Sequence, residues 1–369
     1  MADAGLYVHV PFCAVKCPYC AFASCTRLDL VPSWRDAVLV EAARRARRFD
    51  TFDTLYLGGG TPGLLPEDLL AGLVQGLRGA LPFAPDVECT IEANPADVTR
   101  GRAAAWRTLG VNRASLGVQS FDDDDLRFLG RRHDAAGAVA ALDALRAAGF
   151  EDVGIDLIYG LPGQTRQSWR ATLDRALSFR PTHLSCYGLT VEPRTPLARL
   201  VRTGRVVPAD ESTFEARFLE TSDVLSSRGY VHYEVSNFAL GEGRQSRHNG
   251  KYWRHVPYLG LGPAAHSFDG ARRWWNVRSV EAWVGRIARG RLPTAASERP
   301  TAEQRRLEIL ALGFRTRRGV ELSVLRETPS SAAILESQVA DGRLVVDAGR
   351  ARPTVRGMLV ADALARAFA

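Results

Sequence analysis

Short apolar, β-rich runs alternate with helix-periodic stretches over the first two-thirds of the chain. Leu6–Val10, Thr54–Leu57, Val87–Glu92, Arg113–Val118, Val153–Ile158 and His183–Leu189 predict strands. The stretches near 34–48, 66–79, 97–109, 134–148, 167–178 and 210–228 predict helices. A strand followed by a helix, repeated in this way, builds a parallel sheet with right-handed crossovers. Polar and glycine-rich sequence follows the strands at Gly58–Thr61, Glu92–Pro95, Gln119-Ser120 and Gly160–Gly163. Sites in such sheets form at those carboxyl ends. Six units rather than eight predict an α/β fold that is an incomplete (β/α)6 barrel, open along one side.

After about residue 230 the pattern changes. Tyr230–Asn237 reads as one more strand, and a region dense in aromatics and glycine runs on to Trp283. Residues 301–369 read as helix, helix, a strand pair around Arg343–Val346 and Arg352–Thr354, and a final helix. That order fits a small winged-helix-like module, and equally a helical lid that closes the barrel. The expected division is a partial barrel over 1–235, an extension over 236–300 and a C-terminal module over 301–369. Asp122–Asp125 reads as the acidic start of a helix, favoured by the helix dipole.

Composition narrows the classes. Hydrophobic residues at 46 % and charged residues at 24 % are ordinary for a globular protein. No segment approaches the ~18 apolar residues of a membrane span, and Met1–Gly5 lacks the basic region of a signal peptide. A cytoplasmic protein is the expectation. The net charge is +7, yet only Lys16 and Lys251 are lysines. The arginines are scattered, and Arg44-Arg45-Ala46-Arg47-Arg48 reads as a solvated helix face, so nucleic-acid binding is not expected. Peripheral contact with an anionic membrane surface stays open.

The six cysteines do not suggest a disulfide framework. Cys89 and Cys186 fall inside strand-like runs and read as core thiols. Cys13, Cys17 and Cys20 have the spacing C-x3-C-x2-C directly after the first strand. Thiolates suit zinc or iron–sulfur centres. Three ligands on a four-iron cluster leave one iron open to chelation, whereas a zinc site would recruit Cys25 as a fourth ligand. The surrounding motifs separate the two. Tyr7-Val8-His9-Val10-Pro11-Phe12 precedes the first cysteine, and Gly58-Gly59-Gly60-Thr61-Pro62 ends the second strand. Both motifs resemble signatures of radical SAM proteins that a zinc ribbon does not need, and this resemblance implies that Cys25 is a free thiol of open role.

With these motifs, over roughly residues 6–360, the chain resembles the oxygen-independent coproporphyrinogen oxidase family of radical S-adenosylmethionine (SAM) proteins, in its haem-chaperone branch. The resemblance implies a [4Fe-4S] cluster on Cys13, Cys17 and Cys20. It also implies SAM bound by Tyr7, Gly59, Gly60, Thr61, Glu92, Gln119, Arg131 and Asp156. In such proteins an electron from the cluster cleaves SAM to a 5′-deoxyadenosyl radical. The residue types suit the task. Glycines let backbone approach the methionyl amine, Glu92 accepts from an ammonium or ribose, Arg131 grips a carboxylate, and Gln119 and Asp156 bond ribose or adenine. A purely structural Glu92–Arg131 salt bridge is the alternative.

Departures decide the branch. The porphyrinogen decarboxylases of the family carry a further cysteine where this chain has Phe22, and an N-terminal extension where this chain begins its first strand by residue 6. Chaperone relatives usually have Asp where this chain has Ala21. His248-Asn249-Gly250-Lys251-Tyr252-Trp253 matches the H-N-x-x-Y-W motif associated with haem binding in the chaperone branch. An imidazole suits haem iron and aromatics suit a porphyrin face. The resemblance therefore implies haem at His248, Tyr252 and Trp253, with His266 the second candidate ligand, and makes a packed loop under the barrel mouth the alternative. The expected function is a haem chaperone that delivers haem to an acceptor protein, with an electron donor serving the cluster and no catalytic residue of its own. The alternative is a catalytic radical SAM enzyme, either a porphyrinogen decarboxylase or a methyltransferase.

Overall fold

The structure, a computed structural model, describes residues 3–325 and 329–369. Six parallel strands form its centre: β1 (Ala4–Val10), β2 (Phe52–Gly59), β3 (Phe83–Ala93), β4 (Arg113–Gln119), β5 (Asp152–Tyr159) and β6 (His183–Gly188). They neighbour one another in chain order, as expected for a (β/α)6 unit. The connecting helices Val31–Arg45, Glu67–Ala80, Arg100–Thr108, Ala135–Ala147 and Arg166–Ser178 fall where the periodicity places them. Period-two alternation sets the faces. In β1, Leu6, Val8 and Val10 are fully buried in the main core, which leaves Tyr7 and His9 on the other face. Trp34 of the first helix meets Phe12 edge-on at 5.6 Å in the same core.

The sheet does not end at six strands. Tyr230–Asn237 is not the single strand its composition suggests. It breaks into β7 (Val231–Glu234) and β8 (Asn237–Ala239), an antiparallel hairpin that joins β6 through β8. Glu234 accepts the Ser236 N–H at 3.4 Å, a local bond that competes with strand continuation and turns the chain. The glycine- and aromatic-rich region forms four further strands beside β1: β9 (Tyr258–Leu261), β10 (His266–Phe268), β11 (Arg273–Asn276) and β12 (Thr294–Glu298). β9 runs parallel to β1, and β10 to β12 are antiparallel to their neighbours. β7 and β12 are the edges of the resulting twelve-stranded sheet, so the barrel is open.

A buried carboxylate ties this extension to the first helix. Glu41 accepts from the Gly262 amide at 3.1 Å, Asn276 Nδ2 at 2.8 Å and Trp283 Nε1 at 3.2 Å, beside Arg45. Burial raises its pKa, and these donors oppose the rise.

Residues 302–369 have the order helix (Ala302–Gly313), strand β13 (Val320–Glu321), helix (Pro329–Ala340), hairpin β14 (Leu344–Asp347) and β15 (Arg350–Pro353), and two short closing helices. That is a winged-helix-like arrangement with its own core around Leu310, Phe314, Leu344 and Phe368. Backbone bonds join it to β7: the Val235 amide donates to Arg315 O, and the Arg317 amide to Tyr233 O, each at 2.9 Å. No described helix is long and apolar enough to cross a membrane.

Candidate functional site

The loop after β1 carries the three spaced cysteines. Its base is fixed by backbone, since the Cys13 amide donates to Cys25 O at 2.9 Å and the Cys25 amide to Pro11 O at 2.7 Å. Cys25 is therefore held beside β1 as part of the loop's anchor. Cys13, Cys17, Cys20 and Cys25 are all partly exposed free thiols. Among the described residues no three Cys, His, Asp or Glu side chains are grouped as ligands of one metal ion. Thiolates of a four-iron cluster each take a different iron and need no common point.

Two of the spaced cysteine sulfurs have a hydrogen-bond donor. Thr61 Oγ1 lies 3.6 Å from Cys13 Sγ. Arg131 Nη1 lies 3.4 Å from Cys17 Sγ. Burial raises the thiol pKa values of Cys13 and Cys20, and the Thr61 hydroxyl opposes the rise at Cys13.

Beside the loop, the glycine run after β2 lets backbone pass close to backbone. A Cβ on Gly60 would sit 2.6 Å from Phe12 O, and Gly59, at φ +113°, would drive one into the His9 ring at 2.5 Å. The Gly60 and Thr61 amides donate to Val10 O and Phe12 O at 2.8 Å, which seats the glycine turn against the cysteine loop.

Glu92 ends β3 under this turn. Its Oε1 accepts from the Tyr56 hydroxyl at 2.7 Å and its Oε2 from the Gly59 amide at 2.9 Å. Burial pushes its pKa up to about 7, against those two bonds and with the nearby Asp156 charge adding to the rise. It makes no salt bridge with Arg131. That guanidinium instead spans Cys17 Sγ and Gly117 O, the latter at 2.7 Å from Nη2, while its buried Nε has no partner. A Cβ on Gly117 would meet Gln119 Nε2 at 2.9 Å, so a larger residue there would displace the Gln119 side chain. Gln119 itself has φ +71°, an uncommon conformation for a side-chain-bearing residue, found after a register shift in β4. Asp156 accepts from Ser115 Oγ at 3.1 Å, and burial raises its pKa.

Tyr7, Gly59, Gly60, Thr61, Glu92, Gln119, Arg131 and Asp156 thus share the inner face and carboxyl ends of β1 to β5 with the cysteine loop. Sequence reasoning missed two members. Tyr56 positions Glu92, and His9 links Tyr7 (hydroxyl to Nδ1, 3.0 Å) to Ala23 O (from Nε2, 2.8 Å) inside the cysteine loop. The signal was available, since both are polar aromatic residues on the inward phase of strands whose other phase is apolar.

His248, Tyr252 and Trp253 lie elsewhere. Their segment is the helix Arg247–Trp253, not a loop by the open side of the barrel. It is docked on the opposite end, against the starts of the strands. Glu88 of β3 caps it by accepting the Arg247 and His248 amides, each at 3.0 Å. Lys251 Nζ reaches Asp53 at 2.6 Å and Asp3 O at 2.7 Å. His248 is 1 % exposed. Its Nδ1 lies 2.8 Å from Thr54 Oγ1 and its Nε2 2.8 Å from the Tyr252 hydroxyl. Burial, and then the Lys251 charge, lower its pKa to about 3, so the ring is neutral. With the helix docked, neither nitrogen is free to bind iron. His266, on β10, is exposed and stacked on Trp275 with centroids 5.7 Å apart.

Comparison with known proteins gives the family and the fold. The profile of the Radical SAM superfamily matches residues 7–176, a family whose members hold a [4Fe-4S] cluster and SAM. The haem chaperone HemW of Mycobacterium tuberculosis H37Rv is 37 % identical over 368 residues, covering 98 % of this chain and 94 % of that protein. HemW of Bacillus subtilis is 34 % identical over 319 residues, covering 85 % and 84 %. Among solved structures, the radical SAM coproporphyrinogen III oxidase HemN of Escherichia coli superposes with a TM-score of 0.83 at 23 % identity. The match covers 99 % of this chain and 90 % of that one, and shows a shared fold.

Proposed function

Because the chain belongs to the radical SAM family of the haem chaperone HemW, we propose that it binds haem and passes it to an acceptor protein. A four-iron cluster on Cys13, Cys17 and Cys20 and a bound SAM belong to the same reading, with work in the cytoplasm and an external electron donor for the cluster. The observation that carries it is the near full-length identity to HemW relatives. The residues at hand fit the groups. Three free thiols on one loop, two of them with hydrogen-bond donors, suit a cluster, and the vacant lone pairs of Glu92 together with the unpartnered Arg131 Nε suit the ammonium and carboxylate of an amino acid. The cluster would supply electrons to SAM. The protein's part is to hold the methionyl end between Glu92 and Arg131 and its ribose and adenine near Gln119 and Asp156.

The division into a partial barrel over 1–235, an extension over 236–300 and a C-terminal module over 301–369 is part of this proposal, supported by the separate core of the last segment. In the haem-bound form His248 ligates iron after the helix Arg247–Trp253 leaves its dock, with Tyr252 and Trp253 against the macrocycle. With the helix docked, His266 is the exposed imidazole. The test is an absorption titration of the anaerobically reconstituted protein with haem. A Soret band saturating at one haem per chain is expected. No binding would leave a radical SAM enzyme of another substrate, and turnover of coproporphyrinogen III above that of a cluster-less variant would make it a decarboxylase.

A further inference from the structure

We infer that Arg131 is a positioning residue that sets the reduction potential of the cluster, acting through the Cys17 sulfur. This rests on the cluster reading above. The geometry is specific. One guanidinium nitrogen, Nη1, lies 3.4 Å from Cys17 Sγ, and the other, Nη2, donates to Gly117 O at 2.7 Å, which fixes the plane of the fork. Gly117 is on β4, while Arg131 follows the helix Asp123–Phe128, whose C-terminus is tied back by the Arg131 amide donating to Leu126 O at 2.9 Å. The guanidinium is thus pinned from both sides, and its approach to the sulfur does not depend on a mobile side chain. A guanidinium is a cation with a planar fork of donors. Among the described residues, Cys17 is the one spaced cysteine whose sulfur is hydrogen-bonded by a cationic donor, the donor to Cys13 being the neutral Thr61 hydroxyl.

Reduction adds one negative charge to a cluster, and that charge is spread over its sulfurs. A cation and hydrogen bonds at a ligand sulfur stabilise the reduced form and raise the potential. The buried Nε, which has no partner, faces the same choice of ligands, so a carboxylate bound there would share the guanidinium charge with Cys17. The residue that meets the carboxylate of a bound amino acid would in this way also report its arrival to the cluster.

The experiment is a mediated redox titration of the reconstituted full-length protein, with dithionite as the one-electron donor and the reduced cluster read by electron paramagnetic resonance. Iron and sulfide are counted beforehand. At the wild-type midpoint, Arg131→Met should hold on the order of tenfold less reduced cluster, a midpoint lower by about 59 mV. Arg131→Lys should also lower it, because an ammonium cannot hold Gly117 O and Cys17 Sγ in one rigid fork. It keeps the test decisive if the Met variant fails to hold its cluster. Full iron content with an unshifted midpoint in either variant would overturn the role of Arg131 alone. Iron-free wild-type protein would overturn the cluster reading, and this role with it.

Discussion

The His248 ring is stacked on the Tyr56 ring, with centroids 5.0 Å apart and planes 26° from parallel. Tyr56 in turn donates to Glu92, which accepts from the Gly59 amide. A continuous path of contacts therefore joins the helix at one end of the barrel to the glycine turn beside the cysteine loop at the other. The helix Arg247–Trp253 and the glycine turn are two ends of one packed column.

The first prediction concerns the latch on that column. Tyr252→Phe removes the hydroxyl bonded to His248 Nε2 and little else, at a cost of about 1 kcal/mol. If His248 is the iron ligand of a released helix, stopped-flow absorption should show faster haem binding in Tyr252→Phe, and His248→Ala should weaken binding by about tenfold or more. Unchanged haem kinetics and spectrum in both variants would transfer the assignment to His266.

The cysteines divide three against one. Ala at Cys13, Cys17 or Cys20 should abolish the brown chromophore and the bound iron of anaerobically purified protein. Cys25→Ala should retain both, because Cys25 contributes its backbone to the loop through bonds that an Ala also makes. Stoichiometric zinc without iron would contradict the cluster.

Glu92 gives a pH dependence with a definite sign. Its pKa is raised to about 7 by burial, so below that pH it is increasingly neutral and loses its attraction for an ammonium. SAM affinity, measured by equilibrium dialysis, should rise with pH between about 6 and 8. Glu92→Gln should bind on the order of tenfold less tightly at pH 8 and show a flattened profile.

Glu234 tests the same physics on stability. It is 1 % exposed, burial raises its pKa to about 7, and its Oε1 has no partner. A carboxyl whose folded pKa exceeds its unfolded one contributes stability below the unfolded value and loses it as pH rises through the folded one. Relative to wild type, Glu234→Gln should therefore gain stability from pH 6 to pH 8, by about 1 kcal/mol in chemical denaturation. An equal difference at the two pH values would contradict the raised pKa.

The sequence by itself determined the parallel unit and the chemistry at its ends. Period-two runs of Leu, Val and Ile specify strands, three-to-four periodicity specifies the helices between them, and both are local properties that survive without tertiary context. The C-x3-C-x2-C spacing and the glycine turn were legible for the same reason, since their function is written in consecutive residues. Tertiary structure decided what depended on partners far along the chain. Tyr230–Asn237 has the composition of one strand, but the Glu234–Ser236 bond turns it into two. Arg131 could have been read as the mate of Glu92, yet Gly117 O and Cys17 take it. His248 to Trp253 carry a recognisable pattern whose location no pattern could give. Glu88 and Asp53, some 160 and 190 residues earlier, provide the cap and the ion pair that dock that helix under β1 and β2. Pairings of that kind depend on which buried polar groups must be satisfied once the sheet has closed around them, and only the folded chain brings those groups within reach.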